Sequence, residues 1–215
     1  MNRAVLLGAT GLVGGHLLDM LLEDRKYDEV LVLGRNSTGR NHPKLTERLG
    51  DLLDDDFFKK PIECEHMYCC VGTTQSKTSD LTIYKHIDYG IPIHAATAGL
   101  RGGMQKFLVI SSIGAHPKST MFYSRTKGQM EEALRKMSIP RLHIFRPSLL
   151  LGERKENRMG EKIGIMLNKV FGWAFPAKYK GISAQKVAFA MHAVATSISD
   201  KEVYQSDEIR KLSKI

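Results

Sequence analysis

Cysteine is scarce in these 215 residues: Cys64, Cys69 and Cys70 make an odd count with no Cys-x-x-Cys spacing. Neighbours on a strand point to opposite faces, so Cys69 and Cys70 are badly placed to chelate one metal together, and no disulfide framework is expected. We read all three as reduced core thiols, which assigns the chain to the cytoplasm. No apolar run approaches the ~20 residues a membrane-spanning helix needs. Ala4-Val5-Leu6-Leu7 is too short for the apolar core of a secretory signal and meets glycines at once. His86, His94, His116, His143 and His192 scatter without ligand spacing, so no metal is expected. Repeats and low-complexity tracts are absent. At 42% hydrophobic and 26% charged, the chain has the composition of a globular protein long enough to bury a sizeable core.

Charge is unevenly spread. Residues 1–100 carry 11 basic and 14 acidic side chains, whereas residues 101–215 carry 21 and 9, and the chain totals +9. A basic half raises nucleic acid or an acidic surface as a partner. Without zinc ligands, an aromatic ribonucleoprotein motif or a long basic helix, neither nucleic acid nor a membrane is the expected partner.

Short apolar runs alternate with helical patterns. Strands are predicted at Arg3–Leu7, Glu29–Leu33, Lys44–Leu49, His66–Val71, Phe107–Ser111 and Leu142–Phe145, with a short one near Glu202–Gln205. Helices are predicted at Leu12–Glu23, from about Ser79 to Leu100 with a kink near Gly90 and Pro92, at Met121–Met137, and at Ser183–Ala195 with Ser183 as N-cap. Strands separated by helices imply an α/β fold, a doubly wound parallel sheet in three αβα layers. Residues 151–181 lose the pattern; they hold glycines, a proline, the only tryptophan, and seven basic against three acidic residues. We read residues 1–215 as one domain, with 151–181 a small substrate or cap segment over the carboxyl edge of the sheet.

Gly8-Ala9-Thr10-Gly11-Leu12-Val13-Gly14 joins the first strand to the first helix. Gly8 allows the tight turn, Gly11 the approach of backbone amides to a pyrophosphate, and Gly14 close packing of helix on sheet. The free N–H groups and positive dipole of the helix start would face that anion. Together these features predict a dinucleotide-binding Rossmann fold. At the end of the second strand stands Arg35, where an NAD site wants an acid for the ribose 2′-hydroxyl. A forked, permanent cation suits a 2′-phosphate, so NADP(H) is the expected cofactor, with Asn36 and Ser37 as neutral donors.

Tyr123 and Lys127 open the Met121–Met137 helix as i, i+4 neighbours. A phenol with an ordinary pKa near 10 is a poor acid-base group until a neighbouring ammonium favours its phenolate. Hydroxyls that could polarise a substrate oxygen lie upstream at Ser111-Ser112.

Gly8–Gly14, Asp51-Leu52, Cys69-Cys70-Val71-Gly72-Thr73-Thr74, Ile110–Ala115, Tyr123–Gly128 and Phe145-Arg146-Pro147 together resemble an atypical short-chain dehydrogenase/reductase. The resemblance covers nearly the whole chain and is nearest to the HIV Tat-interacting-protein-like NADPH-binding oxidoreductases. It implies that Thr10, Gly11, Leu12 and Val13 bind the pyrophosphate and Arg35 the 2′-phosphate. It sets Asp51 and Leu52 at the adenine and Val71, Gly72 and Thr73 at the adenosine ribose. Pro147, Ser148 and Leu149 would meet the nicotinamide. Tyr123 would carry the proton with Lys127 as partner, and Ser112 would take the serine position, with Ser111 the alternative. Asp88 departs from the family, which often has an asparagine there to hold a proton-relay water.

The function expected is NADPH-dependent reduction of a small-molecule carbonyl substrate. The alternative is an NADPH-binding sensor that acts on a protein partner without turnover. Nucleotide-sugar epimerase or dehydratase chemistry is a third reading, for which the stretch after Arg146-Pro147 leaves little room. Substrate and oligomeric state are not legible in the sequence.

Overall fold

Alternation along the strands decides the layers. The computed structural model describes residues 2–152 and 179–213. In β1 (Arg3–Leu7), Ala4 and Leu6 join one hydrophobic cluster while Val5 and Leu7 join another. The next strand, β2 (Glu29–Gly34), does the same with Val30 and Val32 against Leu31 and Leu33. A strand buried on both faces reads as an unbroken apolar run, as expected of a parallel sheet between helices. Further along lie β3 (Leu45–Leu49), β4 (His66–Cys69), β5 (Lys106–Ile110) and β6 (Arg141–Arg146), then β7 (Leu150–Leu151), β8 (Ile182–Ser183) and β9 (Val203–Gln205). Seven of these form one sheet in the order β3-β2-β1-β4-β5-β6-β9, every neighbouring pair parallel. The pairing of β7 with β8 makes a separate two-stranded ribbon.

One face is covered by α1 (Leu12–Glu23) and α5 (Ala184–Thr196), through Leu17, Leu18 and Leu21 against Val187, Met191 and Val194. The other face holds α3 (Ile91–Arg101) and α4 (Phe122–Arg135), with Ala95, Ala96, Met130 and Leu134 on the sheet. Each such buried leucine or methionine contributes about 1.5–3 kcal/mol of transfer free energy. The expected αβα architecture is therefore present, with strand and helix ends moved by one or two residues.

The predicted kink near Gly90 takes a specific form. Helix α2 (Leu81–Lys85), capped by the Asp80 carboxylate on the amides of Thr82 and Ile83, runs into one π-helical turn (His86–Gly90) before α3 begins. Pro92 falls at the start of α3, immediately after the π turn. Ser183 caps α5 as expected, accepting from the amide of Lys186. Helix α6 (Ser206–Leu212) closes the described chain behind a reciprocal Gln205/Glu208 capping box. Most of the 151–181 segment lies outside the described residues; its two ends are tied together by the β7–β8 pairing.

Candidate active site

Strand order reverses between β1 and β4, and ligands of such sheets bind in the crevice outside the carboxyl ends at that point. The glycine turn sits there. Gly8 has φ +84°, and a side chain on it would run into the Cys70 carbonyl carbon at 2.7 Å. Gly11 is the N-cap of α1 and offers no side chain to the first-turn amides. The N–H groups of Leu12 and Val13 thus have no intrahelical acceptor and are free for an anion.

Two adjoining cavities run along the edge from this turn. The first, about 530 Å³, is lined among others by Gly8, Thr10, Gly11, Arg35, Asp51, Leu52, Val71, Gly72 and Thr73. The second, about 440 Å³, is lined by Gly11, Leu12, Val13, Ser112, Tyr123, Lys127, Pro147, Ser148 and Leu149, with Asp88 beside them. They share Gly11 and the Cys70–Thr73 stretch. Of the residues singled out from the sequence, Gly14 and Ser37 line neither cavity; Gly14 is buried in α1 against the Gly8 and Ala9 backbone. Arg35 is exposed and has no ion-pair partner among the described residues. Ser37 belongs to a loop braced internally. Its Oγ accepts from the Gly39 amide, and Thr38 donates to Glu47 from both its amide and its hydroxyl.

At the far end, the two serines divide. The Ser111 hydroxyl donates to Glu131 Oε1 at 2.5 Å, turned into the protein. Ser112 Oγ is buried without a hydrogen-bond partner among the described residues. Tyr123 is 41% exposed, whereas Lys127 is 3% exposed one turn further into α4. The Lys127 ammonium lies 2.7 Å from Asp88 Oδ1 and 3.3 Å from the Ile110 carbonyl oxygen. Burial pulls this ammonium toward the neutral form, but the Asp88 carboxylate, with smaller contributions from Tyr123 and Cys69, raises Lys127 above the ordinary lysine value. Asp88 is fully buried in the π turn, and its other oxygen accepts from the Thr73 amide at 2.8 Å.

Two side chains at this end are already occupied. The Arg146 guanidinium is bound to Glu131 through Nε at 2.9 Å and a second nitrogen at 2.5 Å, so it is not free for an anionic ligand. The Ser148 hydroxyl is also occupied, donating to the Lys180 carbonyl and accepting from Ser206 at 2.9 Å. Glu131 itself was missed. On sequence, Glu131-Glu132 reads as a solvated helix face, yet Glu131 is 1% exposed and gathers Ser111, Arg146 and Arg135. Among the described residues, no group of three His, Cys, Asp or Glu is placed to hold a metal.

A parallel sheet flanked by helices, with a glycine turn at its reversal point, is a Rossmann-type NAD(P)-binding fold. The chain belongs to the NAD dependent epimerase/dehydratase family, which it matches over residues 4–181. That makes it an enzyme of the extended short-chain dehydrogenase/reductase superfamily, with a nicotinamide dinucleotide as its class of cofactor. It is 28% identical to Protein FMP52, mitochondrial, of Meyerozyma guilliermondii, over 99% of this chain and 95% of that one. It is 30% identical to the protein of the same name in Debaryomyces hansenii, over 95% and 90%. The crystal structure of the Bordetella bronchiseptica enzyme WbmG in complex with NAD superposes with a TM-score of 0.69 at 15% identity, covering 98% of this chain and 76% of that one. The cytoplasmic expectation is overturned by the curated relatives, whose names mark them as mitochondrial. Reduced cysteines report a reducing compartment and do not distinguish among such compartments.

Proposed function

We propose that the chain binds NADP(H) along this cleft and reduces a small-molecule carbonyl compound, with Tyr123 delivering the proton. The observation that carries the reading is the convergence of Tyr123, Lys127 and Ser112 on one cavity continuous with the glycine turn. Leu12 and Val13 amides and the dipole of α1 would hold the pyrophosphate, and Arg35 the 2′-phosphate. Asp51 and Leu52 would flank the adenine, and Val71, Gly72 and Thr73 the adenosine ribose. Pro147 and Leu149 would pack at the nicotinamide, with Ser148 contributing position through its bonds to Lys180 and Ser206. When bound, the dinucleotide supplies a hydride.

Around the reacting carbonyl the work is done by this chain. Ser112 Oγ, buried and without a hydrogen-bond partner among the described residues, is available to donate to a substrate oxygen. Lys127 pairs with Asp88, donates to the Ile110 carbonyl and lines the same cavity. Tyr123 stands where it can give its proton to the carbonyl oxygen as charge develops there. This arrangement favours turnover over sensing, which needs no proton donor. We further propose that the protein works in mitochondria, in keeping with the names of its relatives.

Arg35→Glu tests the cofactor assignment. The parent should bind NADPH markedly more tightly than NADH, followed by nucleotide fluorescence, and the variant should reverse or erase that preference. An unchanged ratio would sink the NADP assignment.

A further inference from the structure

The chemistry proposed above uses Tyr123 and Lys127 and leaves Asp88 without a part. Yet Asp88 and Lys127 form an ion pair with side chains 1% and 4% exposed, at the floor of the reacting end of the cleft. Burying two charges is expensive, and breaking such a pair costs more than replacing both members with neutral groups. The pair is also closely enclosed. A side chain on Gly72 would lie 3.4 Å from Asp88 Oδ1 and 3.7 Å from Lys127 Nζ. The second Asp88 oxygen holds the Thr73 amide, and Tyr84 Oη donates to the Thr73 carbonyl at 3.3 Å. One carboxylate thus ties α4 to the Val71–Thr73 turn.

We infer that Asp88 is a positioning residue acting through Lys127: it fixes the ammonium between Ile110 and the Val71–Thr73 turn and cancels most of its charge. Tyr123 then works beside a neutral ion pair instead of a bare cation. The groups facing Lys127 are Asp88 from the π turn, Tyr123 from its own helix and the Cys69 thiol from β4. Burial pushes that thiol up to about 11, so it is uncharged at neutral pH. Asp88 is therefore the compensating anion. A bare ammonium would favour the phenolate, the form that takes a proton from an alcohol. A compensated one keeps the phenol protonated, the form that gives a proton to a carbonyl oxygen. The π turn has a consequence for chemistry: it sets the direction in which the tyrosine works best.

The inference rests on Tyr123 as the proton-carrying group, and its test avoids turnover. The ultraviolet titration of Tyr123 in the cofactor-free protein is isolated by subtracting the matching Tyr123→Phe protein. Asp88→Asn keeps an oxygen for the Thr73 amide and removes the charge; its phenol should titrate about one pH unit or more below the parent's. The double variant Asp88→Asn/Lys127→Met replaces the ion pair with an uncharged pair, and its midpoint should return close to the parent's. An unchanged midpoint in Asp88→Asn overturns the inference. So does a double variant that titrates like Asp88→Asn alone or, should the single variant fail to fold, one displaced from the parent by about a unit or more. A parent that binds no NADPH would refute the proposed function instead and leave this titration readable.

Discussion

Gly14 and Gly15 are adjacent residues of one helix, and the structure gives alanine opposite effects at the two. A Cβ on Gly14 would stand 2.7 Å from the Gly8 carbonyl carbon and 3.0 Å from Ala9 Cα, and closer still to the Gly8 oxygen. All three are backbone atoms, so no side chain can swing away. The turn cannot retreat either, because Gly8 already lies against the Cys70 carbonyl on its far side. Helix α1 must shift outward, an overpacking cost of about 1–3 kcal/mol, against which alanine returns up to ~1 kcal/mol of helix propensity. A net loss of about 1–2 kcal/mol lowers the melting temperature by roughly 2–8 °C in a chain of this size. The Gly15 Cβ would meet only the Ala9 oxygen at 3.6 Å, an ordinary contact, so Gly15→Ala should raise the melting temperature by about 1–4 °C. Thermal melting by circular dichroism measures both. NADPH titration adds a second reading: moving the start of α1 should weaken binding about tenfold or more in Gly14→Ala and little in Gly15→Ala, tenfold being ~1.4 kcal/mol. If Gly14→Ala melts no lower than Gly15→Ala, the close approach of helix and turn is wrong.

Tyr123→Phe should leave stability within about 0.5 kcal/mol, as suits a half-exposed side chain, and NADPH binding nearly intact. Turnover of any carbonyl substrate should fall about 10²–10⁴-fold, and residual turnover near parental levels would remove Tyr123 as proton donor. Glu131→Ala removes a buried carboxylate that serves Ser111 and two partly exposed arginines and should cost about 1.5–3 kcal/mol in urea unfolding, where a loss under about 0.5 kcal/mol would contradict the pairing. Burial pushes the Cys64 thiol up to about 12 and the Cys69 thiol up to about 11. At neutral pH an aromatic disulfide reagent should leave both unlabelled in the native protein and react with both after denaturation; rapid native labelling of either would refute the burial.

Much of the fold was legible because its signals are local. Ala4–Leu7 and Val30–Leu33 are continuous apolar runs that only a doubly covered strand explains, and the glycine turn between β1 and α1 marks the carboxyl edge by itself. Asp51, Leu52, Val71–Thr73 and Pro147–Leu149 carry no such local signal and were named only through the family resemblance. What escaped was set by contacts distant in sequence. Asp88 and Lys127 are brought together by a π turn, and one extra residue in a helical turn leaves no mark in a 3.6-residue periodicity. Glu131 looks solvated on its own helix and becomes a buried hub only when β5 and β6 bring Ser111 and Arg146 to it. The choice between Ser111 and Ser112 depends on where β5 ends, and strand ends are the least legible feature of a sequence.

Charge is the clearest case of position outweighing count. The second half of the chain is strongly basic, but many of its cations serve the protein's own backbone and acids. Lys106 donates to the Ala195 and Ser197 carbonyls at 2.7 Å each, closing the end of α5 where orphan carbonyls and the helix dipole favour a cation. Arg210 binds the carbonyls of Lys180 and Gly181, holding the return of the chain toward β8. Arg146 neutralises Glu131, Lys127 pairs with Asp88, and Lys201 pairs with Glu208. Such cations are already satisfied and add little to the binding of an incoming anion. Arg35 belongs to the mildly acidic half and would be lost in any count, yet it is exposed at the edge of the cleft and has no ion-pair partner among the described residues. Just beyond β2, it is the cation on which the proposed choice between two dinucleotides that differ by a single phosphate would turn.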